Sequence, residues 1–192
     1  MHRTTLDRLL AAGGIVIASV LLVAGGLLTW ANTYVSHQVH SQLADQKVFF
    51  PDKGSKALAD PQVGPYLNQY AGQQLTTGPQ AKTYADHFIK VHLNEMTGGL
   101  TYAQLSAKAQ ANPDDTKIAA EVNTVFKGET LRGLLLNAYA FDTMGGLALI
   151  GSIVAYIGAA LMALLAALGF LHAKRAPDEI TPTFPARELI PA

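Results

Sequence analysis

The chain has 192 residues, with 14 basic side chains against 14 acidic ones and no cysteine. Zero net charge supplies no field that would gather nucleic acid. The missing thiols exclude disulfides, thiol nucleophiles and Cys-held zinc or iron–sulfur centres. Hydrophobic residues make up 49% and charged ones 15%, and the apolar excess sits in two runs rather than through a core.

Those runs cover residues 9–44 and 143–173, where no Asp, Glu, Lys or Arg occurs. Each holds about 20 consecutive, mostly apolar residues, enough to cross a ~30 Å hydrocarbon layer as a helix. The first membrane span is placed at 9–30, after a short N-terminus of residues 1–8. Arg3 and Arg8 precede it; Trp30 and Tyr34 follow it, at the depth where amphipathic rings collect. Basic residues before an apolar run also suit a cleaved signal peptide. This run exceeds the usual apolar length of about 7–15 residues, and the small-residue pattern before Ala31 is poor, so an uncleaved anchor is expected. Ala11, Gly14, Ala18 and Gly25 recur at spacings of three, four and seven, which marks a packing seam.

Beyond the span, Val35, Val39 and Leu43 continue a helical repeat to near Gln46. Val48–Phe49–Phe50–Pro51 reads as extended, because Pro51 disfavours helix at the residue before it. Residues 52–64 are rich in Gly, Pro, Lys and Asp and read as loop. Pro65 can open a short helix through Leu75, which Thr77–Gly78–Pro79 breaks. A helix over 80–94 follows, with Tyr84, Phe88 and Val91 at helical spacing, and Gly98–Gly99 interrupts it. Thr101–Tyr102–Ala103–Gln104 has the pattern of a capping box. Asn112–Pro113–Asp114–Asp115 then reads as an N-cap, a first-position proline and acids suited to a helix start. Ile118, Val122, Val125 and Phe126 carry this helix toward Leu134–Leu135 and the second span. Residues 31–142 are therefore expected to form a small helical module, leaning on its anchored helices for order.

The second span, within residues 143–171, repeats Gly151, Ala155, Ala159, Ala163 and Ala167 at i+4 spacing. Such a ridge lets helix backbones approach closely and pack by dispersion. His172, Lys174 and Arg175 follow at once, so basic residues flank the outer sequence ends of both spans. The positive-inside rule then places both termini in the cytoplasm and 31–142 outside. Residues 172–192, with their prolines, read as a disordered cytoplasmic tail.

Candidate chemistry is sparse. An iron site of two His and one carboxylate could draw on His87, His92 and Glu95. His92 and Glu95 share a helix face, but His87 and His92 lie about 140° apart around a helix. His37 and His40, three apart near the first span, could meet a metal or haem; with no CxxCH motif to attach one, interfacial polar residues is the stronger reading. Arg132 and Asp142 flank the approach to the second span, about 15 Å apart along a helix and too far to pair. No phosphate-binding glycine loop occurs. No catalytic residue, metal or cofactor is assigned.

Several stretches together resemble a family of uncharacterised actinobacterial two-span membrane proteins. They are residues 43–51 (Leu43 to Pro51), Tyr84–Ala85–Asp86 through His92–Leu93, Gly98 through Ala103, and Leu131–Arg132–Gly133–Leu134, in that order. The resemblance covers roughly residues 9–171 and implies topology rather than activity. Some members are labelled aromatic ring-opening dioxygenases, a label that comes with no site locatable in this sequence. The expectation is an all-α protein: a two-span transmembrane hairpin with a small extracytoplasmic helical module. Its expected setting is the plasma membrane, in contact with the lipid bilayer and in a homo-oligomer or membrane-protein complex, as a non-enzymatic accessory or scaffold. The alternative is a metal- or haem-dependent redox protein using the external His residues.

Overall fold

The computed structural model describes residues 3–175. The protein is all-α. Two long helices, α1 (Arg3–Asp45) and α7 (Thr116–Arg175), enclose five short ones in the sequence. These are α2 (Lys56–Ala59), α3 (Gly64–Leu67), α4 (Gly78–Tyr84), α5 (Lys90–Thr97) and α6 (Tyr102–Ala111). A 3₁₀ turn, Asn68–Tyr70, extends α3, and a π-helical segment, Ala85–Ile89, joins α4 to α5. Among the described residues no strand forms, only an isolated bridge between Phe49 and Gln74. Both α1 and α7 are long and apolar enough to cross a membrane.

The described residues divide into two compact units. One joins the chain up to Thr29 with the chain from Leu149 onward; the other is residues 30–148. The second unit carries the larger core. Val63, Leu67, Leu75 and Leu135 are fully buried, with Val39, Leu43, Phe50, Leu105 and Val125 around them. Val39 and Leu43 are one turn apart on α1, as their spacing predicts. The extended segment before Pro51 is also as expected. It lies antiparallel to residues 73–75, where Phe50 N donates to Gln73 O at 2.9 Å and Leu75 N to Val48 O at 2.9 Å. Phe50 is thereby held edge-on to Tyr84, ring centroids 5.4 Å apart.

Several local expectations are corrected. Residues 52–64 are not all loop, since Lys56–Ala59 forms a helical turn that buries Leu58. The helix opened by Pro65 stops far short of Leu75; it tightens to 3₁₀ by Asn68, and Gly72 reverses the chain at φ +71°. Thr77–Gly78–Pro79 begins a helix instead of only ending one. Thr77 Oγ1 accepts from Gln80 N and Gln80 Oε1 accepts from Thr77 N, a complete capping box with proline in the first turn. The helix expected over 80–94 runs on to Thr97. There Gly98 turns left-handed at φ +62° and Gly99 N donates to Asn94 O. The box at Thr101 and Gln104 forms as the sequence indicates. Asn112 does not cap the last helix but ends α6; Asp115 Oδ1 accepts from Lys117 N and Ile118 N, and α7 starts at Thr116. From there α7 runs unbroken for 60 residues. The expected tail lies outside the described residues from Ala176 onward, and its first four residues, 172–175, continue α7.

Candidate functional site

The first unit is built on a seam between α1 and α7. Along α1 the contact stripe is Ala11, Gly14, Ala18, Leu21, Gly25 and Leu28, at spacings of three and four in alternation, with Ala24 and Thr29 half-buried beside it. Along α7 the stripe is Ser152, Ala155, Ala159, Met162, Ala166, Gly169 and Ala173, with the same alternation, and Gly151, Gly158 and Phe170 are half-buried beside it. A 3.5-residue mean repeat keeps one stripe of each helix facing the other, as in a left-handed coiled coil. The helices run antiparallel, because Ala11 meets Gly169, Gly14 meets Ala166, Leu21 meets Gly158 and Leu28 meets Gly151. Gly25 is a slot for the Tyr156 ring: a Cβ there would stand 2.8 Å from Cε1. Thr29 Oγ1 donates to Gly25 O at 2.9 Å and lies 3.4 Å from the Tyr156 hydroxyl.

All four α1 residues expected to form a seam therefore lie on it. The expected α7 ridge lies on it only in part. Ala155 and Ala159 are buried and Gly151 is half-buried, but Ala163 and Ala167 are exposed. Strict i+4 spacing advances about 40° past a full turn at each step, so such a ridge winds off the contact face. Ser152, Met162, Ala166, Gly169 and Ala173 lie on the stripe but outside the expected ridge. A search of α7 for alternating threes and fours, rather than uniform fours, is the pattern that picks them out.

In the second unit the most polar cluster forms where the π segment meets α7. Lys90 N reaches Ala85 O, five residues back, which marks the inserted register. Asp86, within that segment, pairs with Lys82 Nζ at 2.5 Å and Arg132 Nη2 at 3.5 Å. Arg132 also donates to Glu129 at 3.1 Å, and Lys82 lies 5.6 Å from the centroid of the Tyr139 ring. The Lys82 hydrogen bond, opposed by partial burial and aided by the charges of Lys82 and Arg132, holds the Asp86 carboxyl below its usual range. The same hydrogen bond and the Asp86 charge raise Lys82, while burial raises the Tyr84 phenol. Arg132 and Asp142 do not pair, as expected; each instead engages α4 or the π segment. Asp142 packs on Gly78, where a Cβ would fall 2.5 Å from the Asp142 Cβ. Arg132 Nε is buried without a hydrogen-bond partner.

His87 stacks on Tyr66 with ring centroids 3.5 Å apart and 9° between planes. It borders an open polar groove of about 460 Å³ with Asp86, Lys90 and Asn94. His92 is exposed, its Nδ1 2.8 Å from Phe88 O, and Glu95 is exposed beside it. His37 and His40 are both exposed on α1. Among the described residues no three His, Asp or Glu side chains gather to hold a metal, so His87, His92 and Glu95 form no facial triad. What the polar cluster does chemically is tie the π segment to α7 through paired, partly buried charges.

No family model matches the sequence, and neither the curated proteins nor the solved structures compared with it give a match.

Proposed function

We propose that the chain is an integral protein of the plasma membrane with two spans, both termini in the cytoplasm and residues 31–142 outside. Its role in this reading is that of a non-enzymatic accessory or scaffold, binding a partner through its spans and its external module. One observation carries it. Around the seam, α1 and α7 present large apolar side chains on every other side: Val16, Val23, Val154 and Leu164 are 57–64% exposed. Surface of that extent and composition is stable against lipid and costly against water. Arg8 at one end and Lys174–Arg175 at the other support the orientation. The resemblance to actinobacterial two-span proteins agrees with the same topology. The exposed Ala163 and Ala167 leave room for a close approach by a neighbouring helix, either a second copy or another membrane protein.

Introduced cysteines test the topology cleanly because the native chain has none. In intact cells, Lys108→Cys should react with a membrane-impermeant maleimide, and Lys174→Cys only after permeabilisation. The reverse pattern would exclude the orientation, and extraction of the chain by carbonate would exclude the spans themselves.

A further inference from the structure

The open polar groove of about 460 Å³ in the second unit lies between residues 61–66 and residues 86–94, against the π segment. Such insertions are rare and often sit at functional sites. Its charges are unequally matched. Asp86 is engaged by Lys82, one turn back, and by Arg132, which also meets Glu129. Those four charges cancel, whereas Lys90, one turn on from Asp86, has no acidic partner among the described residues. The groove is thus left with one ammonium in excess. The Gln62 and Asn94 amides are exposed and enter no side-chain hydrogen bond among the described residues, so each offers donors and an acceptor. Tyr66 supplies a wall. His87 covers one face of its ring, yet Tyr66 is 47% exposed, so the opposite face meets solvent.

We infer that this groove binds an acidic saccharide, its sugar ring on the open face of Tyr66, its carboxylate paired with Lys90 and its hydroxyls with the Gln62 and Asn94 amides. The groove lies wholly within the second unit, so the inference stands apart from the membrane reading. The side chains together select this occupant. One ammonium in excess matches a single carboxylate. The Asp86 charge, already balanced by Lys82 and Arg132, does little to repel it. Amides that both give and accept hydrogen bonds match hydroxyl groups, which do the same. The C–H groups of a sugar carry slight positive charge and suit the negative face of a phenol ring. An apolar ligand would leave the ammonium and both amides unsatisfied. A plain carboxylate would use neither the amides nor the ring.

The test uses the full chain in a detergent without a sugar headgroup, with glucuronate, glucose, acetate and inorganic phosphate as probes. Saturation-transfer NMR reads binding of the two sugars and acetate, and phosphate is scored by its competition with glucuronate. Glucuronate should bind with a Kd on the order of 1 mM, as an open groove and a ligand of this size imply. Glucose, which lacks the carboxylate, should bind about tenfold more weakly. Lys90→Gln should weaken glucuronate about tenfold and leave glucose unchanged. Tyr66→Leu keeps apolar bulk beside His87 but removes the stacking face, so it should weaken both sugars. Asn94→Ala, an exposed change with no side-chain bond to lose within the chain, should weaken both as well; circular dichroism checks that each variant keeps its helical content. An absence of saturable glucuronate binding would overturn the inference. So would glucuronate binding that Lys90→Gln leaves intact. Acetate and phosphate binding as tightly as glucuronate would also overturn it, by marking a surface anion patch and nothing more.

Discussion

At Gly78 the Asp142 side chain occupies the space a Cβ would need, 2.5 Å from Cβ to Cβ. Neither of those atoms can swing away without moving backbone, so Gly78→Ala should destabilise the second unit by about 1–3 kcal/mol. Thermal unfolding followed by circular dichroism reads this; an unchanged midpoint would mean that the helices are free to part. Gly25 is a milder case, because the Tyr156 ring facing it can rotate. Asp86 gives a pH signature. Its carboxyl titrates below the unfolded value of about 3.9, so its contribution is present above that pH and fades as pH falls through the folded value. Lys82 titrates above its unfolded value of about 10.4, so its share holds below that pH and fades as pH rises through the folded value. Since Lys82 is half-exposed, the pair contributes only about 0.2–1 kcal/mol. Asp86→Asn should flatten the loss of stability between about pH 5 and pH 2 relative to the parent. Parallel curves for the two proteins would show that the pair contributes nothing.

Among the elements, the short-range signals read from sequence were those whose partners lie within four residues. Thr101 and Gln104 cap α6 because both halves of the box sit in one turn. The same Thr-x-x-Gln pattern at Thr77 was legible in principle, but Gly78–Pro79 between its halves pointed to a break. Asn112 and Asp115 both suit a helix start, and the choice fell to Asp115, whose carboxylate meets two free amides of the first turn. The π insertion had no local signature. It brings Asp86 to Arg132, a residue far along the chain, so the tertiary partner is what makes that register worthwhile. On α7 the alanines at 159 and 163 now separate two roles. Ala159 is 2% exposed against α1, so Ala159→Leu should overpack the seam and lower the melting midpoint of the detergent-purified chain, at about 1–3 kcal/mol. Ala163 faces outward, so Ala163→Leu should leave that midpoint alone and reduce co-purification of differently tagged copies or of a partner. If both substitutions acted alike, the distinction between seam and outer face would fail.

For the whole molecule, the fold class and the two long helices were open to reading because charge and hydropathy vary over tens of residues. The candidate site was legible only in part. Lys82 and Asp86 stand four apart on one helix face, but the link from Asp86 to Arg132 is non-local, and the seam needs the pairing of α1 with α7 before it exists. That pairing also sets an order of events during synthesis. Thr29 and Tyr156 meet across 127 positions, and translation adds about 5–20 residues per second. Every newborn copy therefore spends on the order of ten seconds with Gly14, Ala18 and Gly25 made but their counterparts not yet translated. For that interval, other polypeptides with small-residue faces can compete for the bare stripe, and a cell crowded with them would lose some of this protein before its own second half arrived.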